Sequence, residues 1–157
     1  DPVYLLKAKV DGHRVSEDLS ELIREAEVLI TSTGRFHVIT KEHIPCFSDG
    51  LILANAGHFG FEIDTEDLRA AADKVEDVGK GKEALWYGEK KVFLLENANP
   101  LNLSAGDGNP IAIMDLGLGL QASCGALLAS GKHSLHRGVQ PIPREIDVAV
   151  SRRMLAL

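Results

Sequence analysis

The sequence predicts an α/β fold: a parallel sheet with flanking helices, a β-hairpin and C-terminal helices. Short apolar runs alternate with amphipathic ones, the pattern of strands and helices taking turns around a mostly parallel sheet. Two of the apolar runs, EVLITSTG (27–34) and LILANAG (51–57), end in small polar residues, where a strand buried on both faces gives way to a turn at the sheet's rim.

Each element has a local reason. Residues 3–10 read as the first helix, with Pro2 at its start, where a missing N–H is harmless. HRV (13–15) reads as a brief strand. SEDLSELIREA (16–26) takes Ser16 as its cap and sets Leu19, Leu22 and Ile23 at helical spacing. TKEHIPCFSDG (40–50) makes a short helix between the two buried strands. TEDLRAAADKV (65–75) is a capped helix leading to a Gly/Lys-rich turn at 79–82. ALWYGEKKVFLL (84–95) reads as a hairpin turning near Gly88 and Glu89. The loop NLSAGDGNP (102–110) leads into a long apolar helix, and a last amphipathic helix runs over 144–157.

A length of 157 residues suits one domain with a real core, and 45% hydrophobic with 25% charged residues is ordinary globular composition. A net charge of −6 with no basic cluster larger than a pair argues against a nucleic-acid partner. Cys46 and Cys124 are far apart without metal-knuckle spacing, so no metal site and no disulfide framework is expected, and a reducing, cytoplasmic setting fits. The chain opens on Asp-Pro without a basic-then-apolar leader, which gives no sign of secretion. The apolar stretch 110–131 contains Asp115 and Gln121, and a mid-span Asp costs about 2.5 to 3.5 kcal/mol in a bilayer, so a buried helix is expected and no membrane partner. That helix is apolar on nearly every side; segments 111–129 and 146–157 are therefore expected to bury an interface with another chain, a second copy of this one first of all.

Two nucleotide sites can be drawn. Gly117-Leu-Gly119-Leu-Gln-Ala122 matches the dinucleotide fingerprint G-x-G-x-x-G/A, yet the ribose-binding acid due about 20 residues later is replaced by the region of Arg137 and two prolines. The other is a constellation. Adjacent parallel strands would bring Thr31, Thr33, Gly34, Gly57 and His58 to one rim, where hydroxyls and backbone N–H groups meet a ribose, a carboxamide or a nucleobase. Asn102 adds an amide, which offers donors and an acceptor together.

The residues ILANAGHF and EID, the preceding TSTG, the opening DPVYLLKA, and NL, GDGNP, IMDL and Gln121 occur in the order found in the S-adenosylhomocysteine hydrolase family, which the chain resembles over nearly its whole length. The resemblance implies the later part of a Rossmann-type NAD-binding domain over residues 1–109 and a C-terminal helical segment for packing or oligomerisation over 110–157. It implies NAD as cofactor and a nucleoside-type small molecule as substrate. The reaction implied is reversible hydrolysis of S-adenosylhomocysteine to adenosine and homocysteine, a step of one-carbon metabolism, through transient oxidation of the ribose 3′-hydroxyl. Ala56, Gly57 and His58 fall on the family's NAD-contacting stretch, Asn102 on its nicotinamide-side asparagine, and Thr31, Thr33 and Gly34 on its turn along the dinucleotide. Asn109 stands where the family has a substrate-side histidine; Arg35, Gly60 and Gly117 also depart from the family pattern. The family's glycine-rich turn, ribose acid and substrate domain with its catalytic Lys, Asp and Glu would lie outside these residues, so the resemblance implies a missing substrate-domain chain as the other partner of the C-terminal segments. The catalytic residues are therefore not assigned, and a degenerate paralogue acting as a binding or scaffold module is the alternative.

Overall fold

The computed structural model describes residues 1–156 and divides into two compact units, one spanning residues 1–106 and one beginning at Asp107. In the first unit helix α1 (Pro2–Val10) starts with the Asp1 carboxylate accepting from the Val3 N–H and buries none of its residues. Residues 13–15 form no strand. β1 (Val28–Thr31) is an edge of the sheet, and Arg14 instead pairs with Glu21 and Glu25 of α2 (Leu19–Glu25). The α2 cap is Asp18, which accepts from the Ser20 N–H; Ser16 supports it from outside by accepting the Asp18 N–H and donating to Glu21.

A five-stranded sheet has the order β1-β2-β5-β4-β3, with β2 at Ile52–Asn55, β3 at Lys74–Gly79, β4 at Lys82–Tyr87 and β5 at Lys90–Leu95. β1, β2 and β5 pair in parallel, whereas β4 is antiparallel to both β5 and β3. Only β4 opposes the rest. The hairpin turns at Gly88 and Glu89 as the sequence predicts, whereas helix α3 (Thr65–Ala71) ends earlier than expected and Lys74 opens a strand. α3 is capped by Asp64, whose carboxylate accepts from the Asp67 N–H. One sheet face is packed by Ile23 of α2 and Leu68 of α3, which join Leu53, Leu85, Val92 and Leu94 in the core. A two-turn 3-10 helix over Lys41–Cys46 closes the same layer.

Tyr87 joins the hairpin to α3, its hydroxyl donating to the Leu68 carbonyl at 2.9 Å, and burial pushes its phenol up to about 12. A raised acid pKa means the fold favours the neutral phenol. The resulting stability is complete below the unfolded value of about 10 and is lost as pH rises from there toward 12. Tyr87→Phe is expected to cost about 1 kcal/mol at neutral pH and to flatten that alkaline slope, read by urea unfolding across the range.

The second unit holds α5 (Ile111–Ser130) and α6 (Arg144–Leu155), which pack on one another; a Cβ on Gly119 would stand 3.5 Å from Val150 Cγ1. The sequence expects α5 to be a buried helix. Within this unit α6 and the segment between the two helices are the cover on offer; no α5 residue is buried, and Ile111, Ile113, Leu118 and Leu128 stand exposed. α5 is the one helix among the described residues long and apolar enough to cross a membrane, and it carries Asp115. Of the last predicted helix, Leu157 lies outside the described residues.

Candidate functional site

The parallel register Thr31↔Asn55 ends β1 and β2 at the same level, and the Ala56 N–H donates to the Thr31 carbonyl at 2.8 Å, one step beyond the ladder. β5 flanks β2 on its other side, and the chain leaving β5 returns through Pro100, which bridges to Asn55. Three segments thus converge on the carboxyl edge of the sheet: the turn after β1, the turn after β2, and the start of a short helix, α4 (Leu101–Ser104), which carries Asn102. That is where ligands lie in open α/β sheets.

Two buried polar side chains fasten this edge. Asn55 Oδ1 accepts from the Thr31 hydroxyl at 3.2 Å and the Gly57 N–H at 2.6 Å, and its Nδ2 donates to the carbonyls of Phe59 at 2.7 Å and Ala98 at 2.9 Å. All four hydrogen-bonding positions of the amide are filled. Glu62 is fully buried; its Oε2 accepts from the Thr33 N–H at 2.7 Å and the Thr33 hydroxyl at 2.8 Å, and its Oε1 from the Gly34 N–H at 2.8 Å. Burial pushes the Glu62 carboxyl upward, but the Thr33 and Gly34 amides and the hydroxyls of Thr33 and Thr31 outweigh it and hold the group below its ordinary value. Gly34 donates from φ +69°, a left-handed conformation natural to glycine. Gly57 is a glycine for a different reason: a Cβ there would lie 1.9 Å from Glu62 Oε1.

The rim residues therefore divide. Thr31 is buried and its hydroxyl serves Asn55, while the polar groups of Thr33 and the Gly34 N–H face Glu62 rather than the open edge where the sequence reading placed them. Ala56, His58 and Asn102 are exposed and Gly57 is half-buried; Thr33 and Gly34 are exposed as well, but their donors are taken by Glu62. His58 stands edge-on to Phe59, ring centroids 4.2 Å apart, at one end of a column in which Phe59, Phe61 and Phe36 stack at 4.9 and 3.8 Å. Asn109 belongs to the second unit, where its amide donates to Met114 Sδ at 3.6 Å. Gly117 and Gly119 sit within the continuous helix α5, so the apparent dinucleotide fingerprint has no strand-to-helix turn. Asn55 and Glu62 escaped the sequence reading. The available signals were a polar residue closing the LILA run and an acid set between Phe61 and Ile63.

A family model described as S-adenosyl-L-homocysteine hydrolase, NAD binding domain, matches residues 1–108. The chain belongs to this family. It is 36% identical over 155 residues to the S-inosyl-L-homocysteine hydrolase of Methanosarcina acetivorans, with 99% of the chain and 37% of that relative covered. Over 157 residues it is 38% identical to the adenosylhomocysteinase of Thermococcus kodakarensis, again covering 99% of the chain and 37% of the relative. The adenosylhomocysteinase of Archaeoglobus fulgidus is 36% identical over 155 residues, and the chain spans 38% of its length. The chain is thus an NAD-binding domain of adenosylhomocysteinase type, with a Rossmann-type α/β architecture and NAD as its cofactor. Its exposed rim presents the carboxamide of Asn102 and the imidazole of His58, groups whose donors and acceptors suit the ribose and carboxamide chemistry of that cofactor.

Proposed function

We propose that this chain serves hydrolysis of a purine-nucleosyl homocysteine, using the rim formed by Ala56, Gly57, His58 and Asn102 to hold the nicotinamide and ribose half of NAD. Bound at this rim, NAD would supply reversible oxidation of a ribose 3′-hydroxyl, the chemistry that acidifies the neighbouring C4′ proton. The observation that carries the reading is the convergence of the β1, β2 and β5 exits on one edge, with exposed polar groups toward solvent and a locked scaffold beneath. The relatives' names divide between adenosyl and inosyl substrates, and a nucleoside thioether is common to both.

No strand-linked glycine turn cradles a diphosphate among the described residues, and the Thr33 and Gly34 amides already hold Glu62. The 157-residue chain alone is therefore expected to bind NAD weakly, with a dissociation constant well above micromolar, by calorimetry. Micromolar or tighter binding would show that the site lies elsewhere.

The exposed apolar side chains of α5, Leu118 at 54% and Ile111 at 87% among them, support an interface with a second copy of the chain. Light scattering at high micromolar concentration is expected to show species larger than 17.0 kDa, and Leu118→Asp to yield monomers or aggregates. A clean monomer of the unaltered chain removes this part of the proposal.

A further inference from the structure

We propose that Glu62 is the positioning residue of the cofactor rim, locking the turn after β1 to the turn after β2, a role that rests on the reading of this rim as the NAD site. Both carboxylate oxygens go to a single turn, at Thr33 and Gly34, and the Glu62 main-chain carbonyl accepts the Val38 and Ile39 N–H groups at 2.7 and 3.1 Å. One residue thus holds the segment leaving β1 at two places. On its other side Oε1 fills the space beside Gly57 that a Cβ would claim, so the position of residues 33–34 against residues 56–58 is set through this one side chain.

A purely structural role does not account for the charge. Glu62 is fully buried and forms no ion pair among the described residues, so only amide and hydroxyl dipoles compensate it. An apolar side chain of similar volume would fill a core position without that desolvation penalty. What the carboxylate adds is direction. Successive N–H groups in a turn form a concave anion site, and Glu62 occupies the one at Thr33 and Gly34 from inside. A phosphate of the cofactor is thereby kept off these amides, and the rim is left to the uncharged ribose and carboxamide groups.

The test is amide NMR of the chain with NAD+ as the probe, added to millimolar concentration. In the unaltered chain the Thr33 and Gly34 amide protons are expected far downfield, as charge-assisted donors, and NAD+ should shift the Ala56 and His58 amides. In Glu62→Gln a carboxamide NH2 competes with one of the donors; these two resonances should move upfield and NAD+ affinity should fall about tenfold. Thr33→Val, a milder change that removes one hydroxyl bond, should weaken NAD+ about threefold, and Thr33→Ser should restore it. If Glu62→Gln does not fold, the Thr33 pair decides by the same readouts. Unchanged Thr33 and Gly34 resonances in Glu62→Gln overturn the lock. Loss of the lock with an unchanged NAD+ titration overturns the positioning role alone. An intact lock in an unaltered chain whose rim amides ignore NAD+ overturns the reading of the rim, and the proposal with it.

Discussion

Gly57→Ala is expected to destabilise the domain by about 3 kcal/mol, the largest effect of any single methyl added to the rim. The backbone is not the obstacle, because Gly57 is absent from the left-handed residues of this chain. Alanine there would even gain about 0.4 to 1 kcal/mol by restricting the unfolded chain. Sterics reverse that sign. The new Cβ would stand 1.9 Å from Glu62 Oε1 and 2.9 Å from Asn55 Oδ1, and neither atom is the loose end of a flexible side chain. The carboxylate must leave, and the Thr33 and Gly34 N–H groups lose their acceptor, each such loss costing about 1 to 3 kcal/mol where the group stays dry. Gly34→Ala makes the contrast: no atom lies within 4 Å of its Cβ position, so only the strain of φ +69° remains, about 1 kcal/mol. Urea unfolding of the two variants measures the difference; equal midpoints would show that Glu62 yields freely.

The two glycines also show how far the sequence could be read. The strands β1 and β2, their parallel pairing and their common rim follow from apolar runs that stop at small polar residues, although only β2 is buried on both faces: β1 lies at the sheet edge, where Val28 and Ile30 stand exposed. β3 did not show itself, since KVEDVG lies at the far edge of the sheet with a single neighbour and needs little apolar surface to hold its place. HRV failed for the converse reason: its arginine had a better partner in the acids of α2 than in an outer sheet edge. At the rim the residue types were legible but not their direction. Threonines and a glycine at a strand end look ligand-facing in sequence, whereas Thr31 and Thr33 turn inward to Asn55 and Glu62. An acid in a chain with a net charge of −6 reads as surface, and only the enclosing hydroxyl and amides make Glu62 a core residue.

Asn55→Ala is expected to cost about 3 to 4 kcal/mol, because the side chain joins three segments and its removal strands the Gly57 N–H and the buried Ala98 carbonyl. Asn55→Asp is expected to be worse at neutral pH although it conserves shape. It keeps the acceptor for Gly57, loses both donors to Phe59 and Ala98, and sets a second carboxylate near Glu62, since Asn55 Oδ1 and Glu62 Oε1 both lie within 3.0 Å of one point beside Gly57. Two buried carboxylates that close do not both ionise, so the new one titrates high. The signs of the two pH dependences then oppose one another. In the unaltered chain the depressed Glu62 pKa gives stability that is present above the ordinary value of 4.5 and lost as pH falls through the folded value. In Asn55→Asp a raised pKa imposes a penalty that is present near neutrality and relieved as pH falls and the new group takes a proton. The stability gap between the two proteins should accordingly narrow on acidification from pH 7 toward about pH 5, measured by urea unfolding at each pH. A gap that stays constant would mean that the new carboxylate is solvated and that the Asn55 site is not closed to water.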